Sequence, residues 1–332
     1  MKSFAFFLCF LSIYMGFAQI NINDLNSRNL DESMKTITKL DRVEITAVCI
    51  SPNSKTIAAG TNDISIYDAK TYQLITTIKA HSLSISSMLY SPDGSILASG
   101  STDNTIKLWN PGGSLIRTIS DKTGFIASID FSRDGRKIVC AGSDYDKTGF
   151  VKVFDVNSGA LIMEIKDLKF EAFDAKFSPD GRYIAGALKN KTMAVWDAGS
   201  GQTIKEITDF KGDVTSVMFT PDNKYISAAS NDKSIRIWDL STWKIYRIYL
   251  TSIGVKKMMA SPDSRFLIAC TPDKSVKVYR IDNGEFGWSF SGHRNIVTDI
   301  ALSSDGSTFV SSSRDCMVKI WDFKKFVKDL ED

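Results

Sequence analysis

Histidine is almost missing from this chain: two residues in 332 exclude a metal site built from several imidazoles. A charge of one sign is missing too. The 41 lysines and arginines face 38 aspartates and glutamates, a net +3, which is not the clustered basic excess that nucleic acid demands. Nowhere do about 20 apolar residues run together, so no segment reads as a membrane-spanning helix. Cysteine is sparse, with five residues scattered along the chain. What is present is 43% hydrophobic and 24% charged residues, too apolar for a disordered chain and enough for a sizeable core.

The first segment reads as an address. Lys2 precedes an apolar stretch from Phe4 to Tyr14, and Gly16-Phe17-Ala18 offers small residues at a cleavage point before Gln19. A basic start, a short apolar centre and a small-residue exit describe a secretory signal peptide over residues 1–18. The expectation is an exported chain of 332 − 18 = 314 residues, periplasmic or extracellular. Export permits disulfides, but Cys49, Cys140 and Cys270 sit inside apolar runs and read as buried thiols.

Next comes a repeat. Aromatic residues with aliphatic neighbours recur at 67, 109, 154, 196, 238, 279 and 321, spaced by 42, 45, 42, 42, 41 and 42 residues. Turn signals run in phase: Ser91-Pro92-Asp93-Gly94 and Ser178-Pro179-Asp180-Gly181, with degraded forms at Ser51, Ser132, Thr220, Ser261 and Ser304. Proline presets a turn dihedral, aspartate bonds back to the backbone and glycine takes the positive angle. Between the markers lie short β-rich segments, such as Val214–Phe219, Tyr225–Ala229, Ser234–Trp238 and Ile245–Tyr249. None keeps a helical period for ten residues. Each repeat therefore reads as one four-stranded antiparallel sheet.

The period, the recurring Trp-Asp pair and the Ser-Pro-Asp-Gly turn resemble the WD-repeat family of β-propellers over about Lys35 to Asp322. The resemblance implies an all-β, seven-bladed propeller over 35–322, after a polar segment at 19–34 and before a tail at 323–332. The strand-like Lys35–Leu40 would complete the last blade, as relatives close their rings. Blades 1 and 7 would then be neighbours, which leaves a Cys49–Cys316 disulfide open as the alternative to free thiols. The tail reads as a short helix covering the underside.

The resemblance also implies hydrogen-bonded tetrads: His81, Ser99, Asp103 and Trp109 in the second repeat, and His293, Ser311, Asp315 and Trp321 in the seventh. Buried imidazole, hydroxyl, carboxylate and indole groups each need partners, so these sets read as structural rather than as a hydrolase triad. Elsewhere Asp41, Lys122, Leu168, Phe210 and Thr251 replace the histidine. The insertion Ser143–Gly149 in the third repeat holds Asp144, Asp146 and Thr148, like the start of a calcium loop. The strand that follows would carry the twelfth-position Asp155 about 20 Å away, so a plain hairpin loop is expected and no metal or other cofactor.

In WD-repeat relatives ligands often sit on the face formed by the loops that lead into the innermost strands. Mapped here, that face includes Phe125, Tyr145, Phe173, Lys189, Lys256, Ile296 and Arg314. The aromatic three belong to blades 3 and 4 and read either as a recognition cluster or as packing against the inserted loop. The expectation is a monomeric, non-enzymatic propeller that binds a protein or peptide, not nucleic acid. The alternatives are a propeller hydrolase, or a glycan or small-ligand binder, acting at the central channel.

Overall fold

The computed structural model describes residues 34–38, 43–120, 124–146, 148–165, 168–284 and 286–331. The leader read at 1–18, nearly all of the 19–34 segment, and Asp41 and Lys122 lie outside them.

The described residues form seven four-stranded antiparallel sheets. Blades 1 to 6 begin with the innermost strands Ala47–Ile50, Ile85–Tyr90, Phe125–Phe131, Ala172–Phe177, Val214–Phe219 and Lys257–Ala260. Their four strands pair in chain order from the channel outward. The seventh sheet contains Val297–Leu302, Thr308–Ser313 and Met317–Asp322, and its outer strand comes from the other end of the chain. Lys35–Thr38 pairs antiparallel with it, Lys35 opposite Ile320 and Ile37 opposite Val318. Ile37 is buried there. The ring thus closes as the sequence implied, and Met317–Asp322 gains the outer partner that the chain's own C-terminal end does not give it.

The turn grammar explains why each sheet folds locally. Ser91 Oγ donates to Asp93 Oδ1 (2.6 Å) and accepts the Ile96 N–H (3.0 Å), while the Gly94 N–H reaches the Ser91 carbonyl (2.8 Å). Gly94 has φ +74°; Ser54, Asn223 and Ser264 take the same left-handed angle at 56°, 59° and 60°. One correction applies in the seventh blade. Ser303, not Ser304, donates to Asp305 (2.6 Å), so Ser304 stands where five of the other turns place proline and one places Arg133. The aspartates of the Trp-Asp pairs close the opposite hairpins: Asp197 Oδ1 accepts the Gly199 and Ser200 N–H groups at 3.1 and 2.7 Å.

The hydrophobic core lies between blades. Ala47, Ile64 and Ile66 of blade 1 pack against Ile85, Met88 and Trp109 of blade 2, and the pattern repeats around the ring. Both faces of each sheet are buried in this way, which is why second strands such as Lys137–Ser143, Tyr183–Leu188 and Phe266–Cys270 read as near-continuous apolar runs. The tail is the helix Phe323–Glu331. It buries Phe323 and Phe326 against Phe266, Phe290 and Phe309, as expected of a cover for the underside. Cys49, Cys140, Cys270 and Cys316 are free thiols; the first three are buried, and Cys49 and Cys316 are not paired.

Candidate partner-binding face

Two tetrads form as implied. In blade 2, Trp109 Nε1 donates to Ser99 Oγ (2.9 Å), Ser99 Oγ lies 2.8 Å from His81 Nε2, and His81 Nδ1 lies 3.0 Å from Asp103 Oδ2. Because Ser99 accepts the indole N–H, its own proton goes to Nε2, and Nδ1–H then faces the carboxylate. Burial holds the His81 imidazole below its usual pKa, and the Asp103 charge opposes this only in part. In blade 7 the corresponding distances are 2.9, 2.8 and 2.9 Å through Trp321, Ser311, His293 and Asp315. Ser99 and Ser311 are wholly buried. A nucleophile that no substrate can reach, and that already accepts an indole N–H, is a structural hydroxyl.

Other blades dispense with the network. In blade 5, Phe210 and Ala228 occupy the histidine and serine positions, and Phe210 packs edge-on against Trp238 with centroids 5.9 Å apart. Asp232 is retained and binds Arg236 (3.0 Å), whose guanidinium lies 4.4 Å from the Phe210 ring centroid. In blade 4 the serine position is Gly186, where a Cβ would fall 2.5 Å from the Trp196 ring.

The inserted loop of blade 3 is a hairpin between Lys137–Ser143 and Gly149–Asp155. Asp144 Oδ1 accepts the Thr148 N–H (2.8 Å), so this carboxylate serves the turn. Among the described residues no group of three or more His, Cys, Asp or Glu could hold a metal ion.

The channel mouth is set by a local irregularity. In blades 2, 3, 4, 5 and 7 the register of the innermost strand slips at Ser86, Ala127, Phe173, Thr215 and Thr298. A bulge re-aims a side chain, and the equivalent residues Thr46 and Lys256 directly precede the inner strands of blades 1 and 6. Three of the hydroxyls stitch neighbouring blades together. Ser86, Thr215 and Thr298 donate to the carbonyls of Ile126, Val255 and Ile45 at 2.5, 2.6 and 2.6 Å. Ala127, Phe173 and Lys256 break the rule.

Below the mouth lies a charged collar that the loop-centred reading missed. Asp174 accepts Ser128 Oγ (2.6 Å), Ser216 Oγ (3.0 Å) and the Val217 N–H (3.2 Å). Lys176 Nζ stands 3.7 Å from both Asp174 and Asp130, and Lys257 Nζ 2.7 Å from Asp299. Asp299 in turn accepts the Val48 N–H (3.1 Å) across the closure. Burial alone would lower the Lys176 ammonium, but Asp174 and Asp130 outweigh it and raise its pKa. Burial also raises the Asp130 carboxyl against the pull of Lys176. The visible signal was charge inside apolar strands, as in Phe173-Asp174-Ala175-Lys176-Phe177.

Four of the seven candidate residues, Phe125, Phe173, Lys256 and Arg314, line one depression of about 410 Å³ on this face. A second cavity of about 290 Å³ continues from Phe173 and Lys256 down to Asp174 and Lys257. The other three stand aside from it. Tyr145 packs edge-on against Phe125 (5.3 Å) and accepts from Asn104 Nδ2 (2.7 Å). Lys189 is held by Glu171 (2.8 Å), and Ile296 is half-buried, with its carbonyl taking the Arg314 N–H (3.1 Å). Tyr145, which belongs to the inserted loop, thus packs against Phe125 and still leaves 71% of itself exposed. Val43, Leu83 and Phe170 on the same face are exposed as well and were not singled out.

A family model described as WD domain, G-beta repeat matches residues 72–110, 113–155, 201–239 and 284–322. Each match runs from the outer strand of one blade to the Trp-Asp position of the next. COMPASS component SWD3 of Saccharomyces cerevisiae is 30% identical over 185 residues, 53% of this chain and 56% of that protein. The Periodic tryptophan protein 2 homolog of Schizosaccharomyces pombe is 28% identical over 148 residues, 41% of this chain and 16% of that one. Nuclear distribution protein PAC1 of Arthroderma otae is 31% identical over 157 residues, 43% and 33% of the two chains. The chain thus spans little more than half of the first relative and a third or less of the other two.

Proposed function

Because this chain belongs to the WD-repeat family of β-propellers, we propose that it is a non-enzymatic scaffold whose channel-mouth face docks a protein or peptide. One observation carries this reading: Phe125 and Phe173 line a depression whose rim is pinned by interblade hydrogen bonds. Aromatic anchors on a rigid frame lose little order on binding. Hydrolysis is disfavoured by the chemistry of the carboxylates. Asp174 is saturated by two hydroxyls, an amide and a lysine, and Asp299 by an amide and a lysine. A glycosidase pair must instead leave one acid and one base free to face a sugar.

The chain acts as a monomer outside the cytoplasm, delivered there by the leader read at 1–18. Mass spectrometry of the exported fraction is expected to find a chain that begins at Gln19; a chain retained in the cytoplasm with Met1 intact refutes export. For docking, the test is affinity capture from the exported fraction with the intact protein and with F125S/F173S. Partners retained by the first and lost by the second, with an unchanged melting transition, support the reading. Partners captured equally by both overturn it.

A further inference from the structure

We propose that the channel mouth selects an acidic side chain on an extended peptide, with Lys256 as the charge that recognises it; this rests on the docking reading above. The argument begins with what the mouth has left to offer. The Ser86 and Thr215 hydroxyl protons are committed to carbonyls, so these two groups face a ligand with lone pairs only. They suit the N–H groups of an extended backbone and cannot donate to an anion.

The charges are committed in the same way, with one exception. Lys257 is neutralised by Asp299 and Lys176 by Asp130 and Asp174. Glu44 and Glu171, the acidic residues lining the wider depression, meet Arg314 (3.5 Å) and Lys189 (2.8 Å). Lys256 is exposed, lines both the depression and the cavity beneath it, and has no acidic partner among the described residues. It is the uncompensated charge of the mouth. Phe173 shares both cavities with it, and Phe125 lies in the wider one. The complementary ligand therefore carries a carboxylate close in sequence to an aromatic or large aliphatic residue. A basic peptide would meet an unpaired ammonium instead and be rejected.

The test is selection of random heptapeptides displayed on phage against the purified full chain, read by sequencing. Recovered peptides are expected to be enriched in Asp or Glu within two residues of an aromatic or large aliphatic residue. Lys256→Glu is expected to reduce that acidic enrichment about tenfold, the worth of one charge-assisted contact, and to favour Lys and Arg in its place. An unchanged melting transition shows that the variant is folded, since Lys256 is exposed. Peptides recovered without acidic bias, or with the same bias on Lys256→Glu, overturn the inference. If F125S/F173S still abolishes their recovery, the docking reading survives that result. If wild type recovers nothing above bare support, or F125S/F173S recovers the same peptides, both fall together.

Discussion

Blades 2 and 5 build one architecture with opposite chemistry. Blade 2 buries a hydroxyl, an imidazole and an indole N–H and satisfies all of them, ending on Asp103. Blade 5 removes hydroxyl and imidazole together, fills their place with Phe210 and Ala228, and turns Asp232 onto Arg236 above the phenyl ring. The difference shows that the unit of substitution is the network. Deleting one partner leaves a buried polar group unpaired, at roughly 1–3 kcal/mol, whereas replacing both by apolar groups is close to neutral. Intermediate mixtures are the states to avoid.

Breaking that rule in blade 2 gives the largest effect. Ser99→Ala strands both His81 Nε2 and Trp109 Nε1 in a site with no water access. A loss of about 3 kcal/mol is expected from two orphaned groups, read from urea unfolding. A loss below about 1 kcal/mol would mean that the network is not needed to hold the blade. The next experiment converts blade 2 into blade 5. His81→Phe with Ser99→Ala is expected to cost about 1–2 kcal/mol less than the sum of the single changes, the coupling typical of residues in one network. Lys107 stands four residues after Asp103, as Arg236 stands after Asp232; Lys107→Arg in the double variant should recover part of the remainder. Strict additivity would sink the comparison.

Acid sharpens it next. Burial lowers the His81 pKa in the fold, so below about pH 6.5, where the unfolded imidazole takes a proton, the unfolded state binds more protons. The contribution of blade 2 is therefore complete above that pH and is lost as pH falls towards the folded value. Asp103 acts in the same direction at lower pH. Although its burial raises the carboxyl, the Thr105 hydroxyl, the His81 charge and the Ser82 amide together hold it below the ordinary range, so its contribution is lost as pH falls through that depressed value. His81→Phe/Ser99→Ala should flatten the stability profile between pH 7 and 5. An unaltered slope would place the acid sensitivity elsewhere in the ring.

How much of this could be read beforehand depends on what repeats. The aromatic positions and the Ser-Pro-Asp-Gly turns recur in phase, so blade number, strand order and ring closure were legible; so were the tetrads, because every member sits at a fixed offset from its tryptophan. The collar was not. Asp174, Lys257 and Asp299 share one register, directly after the bulge position, and Asp130 and Lys176 share another, two residues on. Ser87, Ser128 and Ser216 fill the first register in other blades, so no single residue type marks it, and the charges meet only because the ring brings distant strands to one axis. The mouth was half legible. Phe125, Phe173, Lys256 and Arg314 converge as the loop mapping implied. Lys189 and Ile296 do not, since pairing with Glu171 and local burial were invisible in a list of positions.

The smallest effect tests why blade 5 keeps its aspartate without a histidine. Arg236 does two things at once: it pairs with Asp232 and places its guanidinium 4.4 Å from the Phe210 ring centroid. Lysine can supply the charge but not the planar stacking group. Arg236→Lys is therefore expected to cost about 0.5–1 kcal/mol, the worth of a partly exposed cation–π contact, and to leave the Asp232 bonds to Lys211 and Ser234 in place. The same change in a Phe210→Leu background should cost less, because the ring that the guanidinium covers is gone. Equal losses in both backgrounds would show that Arg236 acts through its charge alone, and blade 5 would then be a degraded tetrad rather than a second solution.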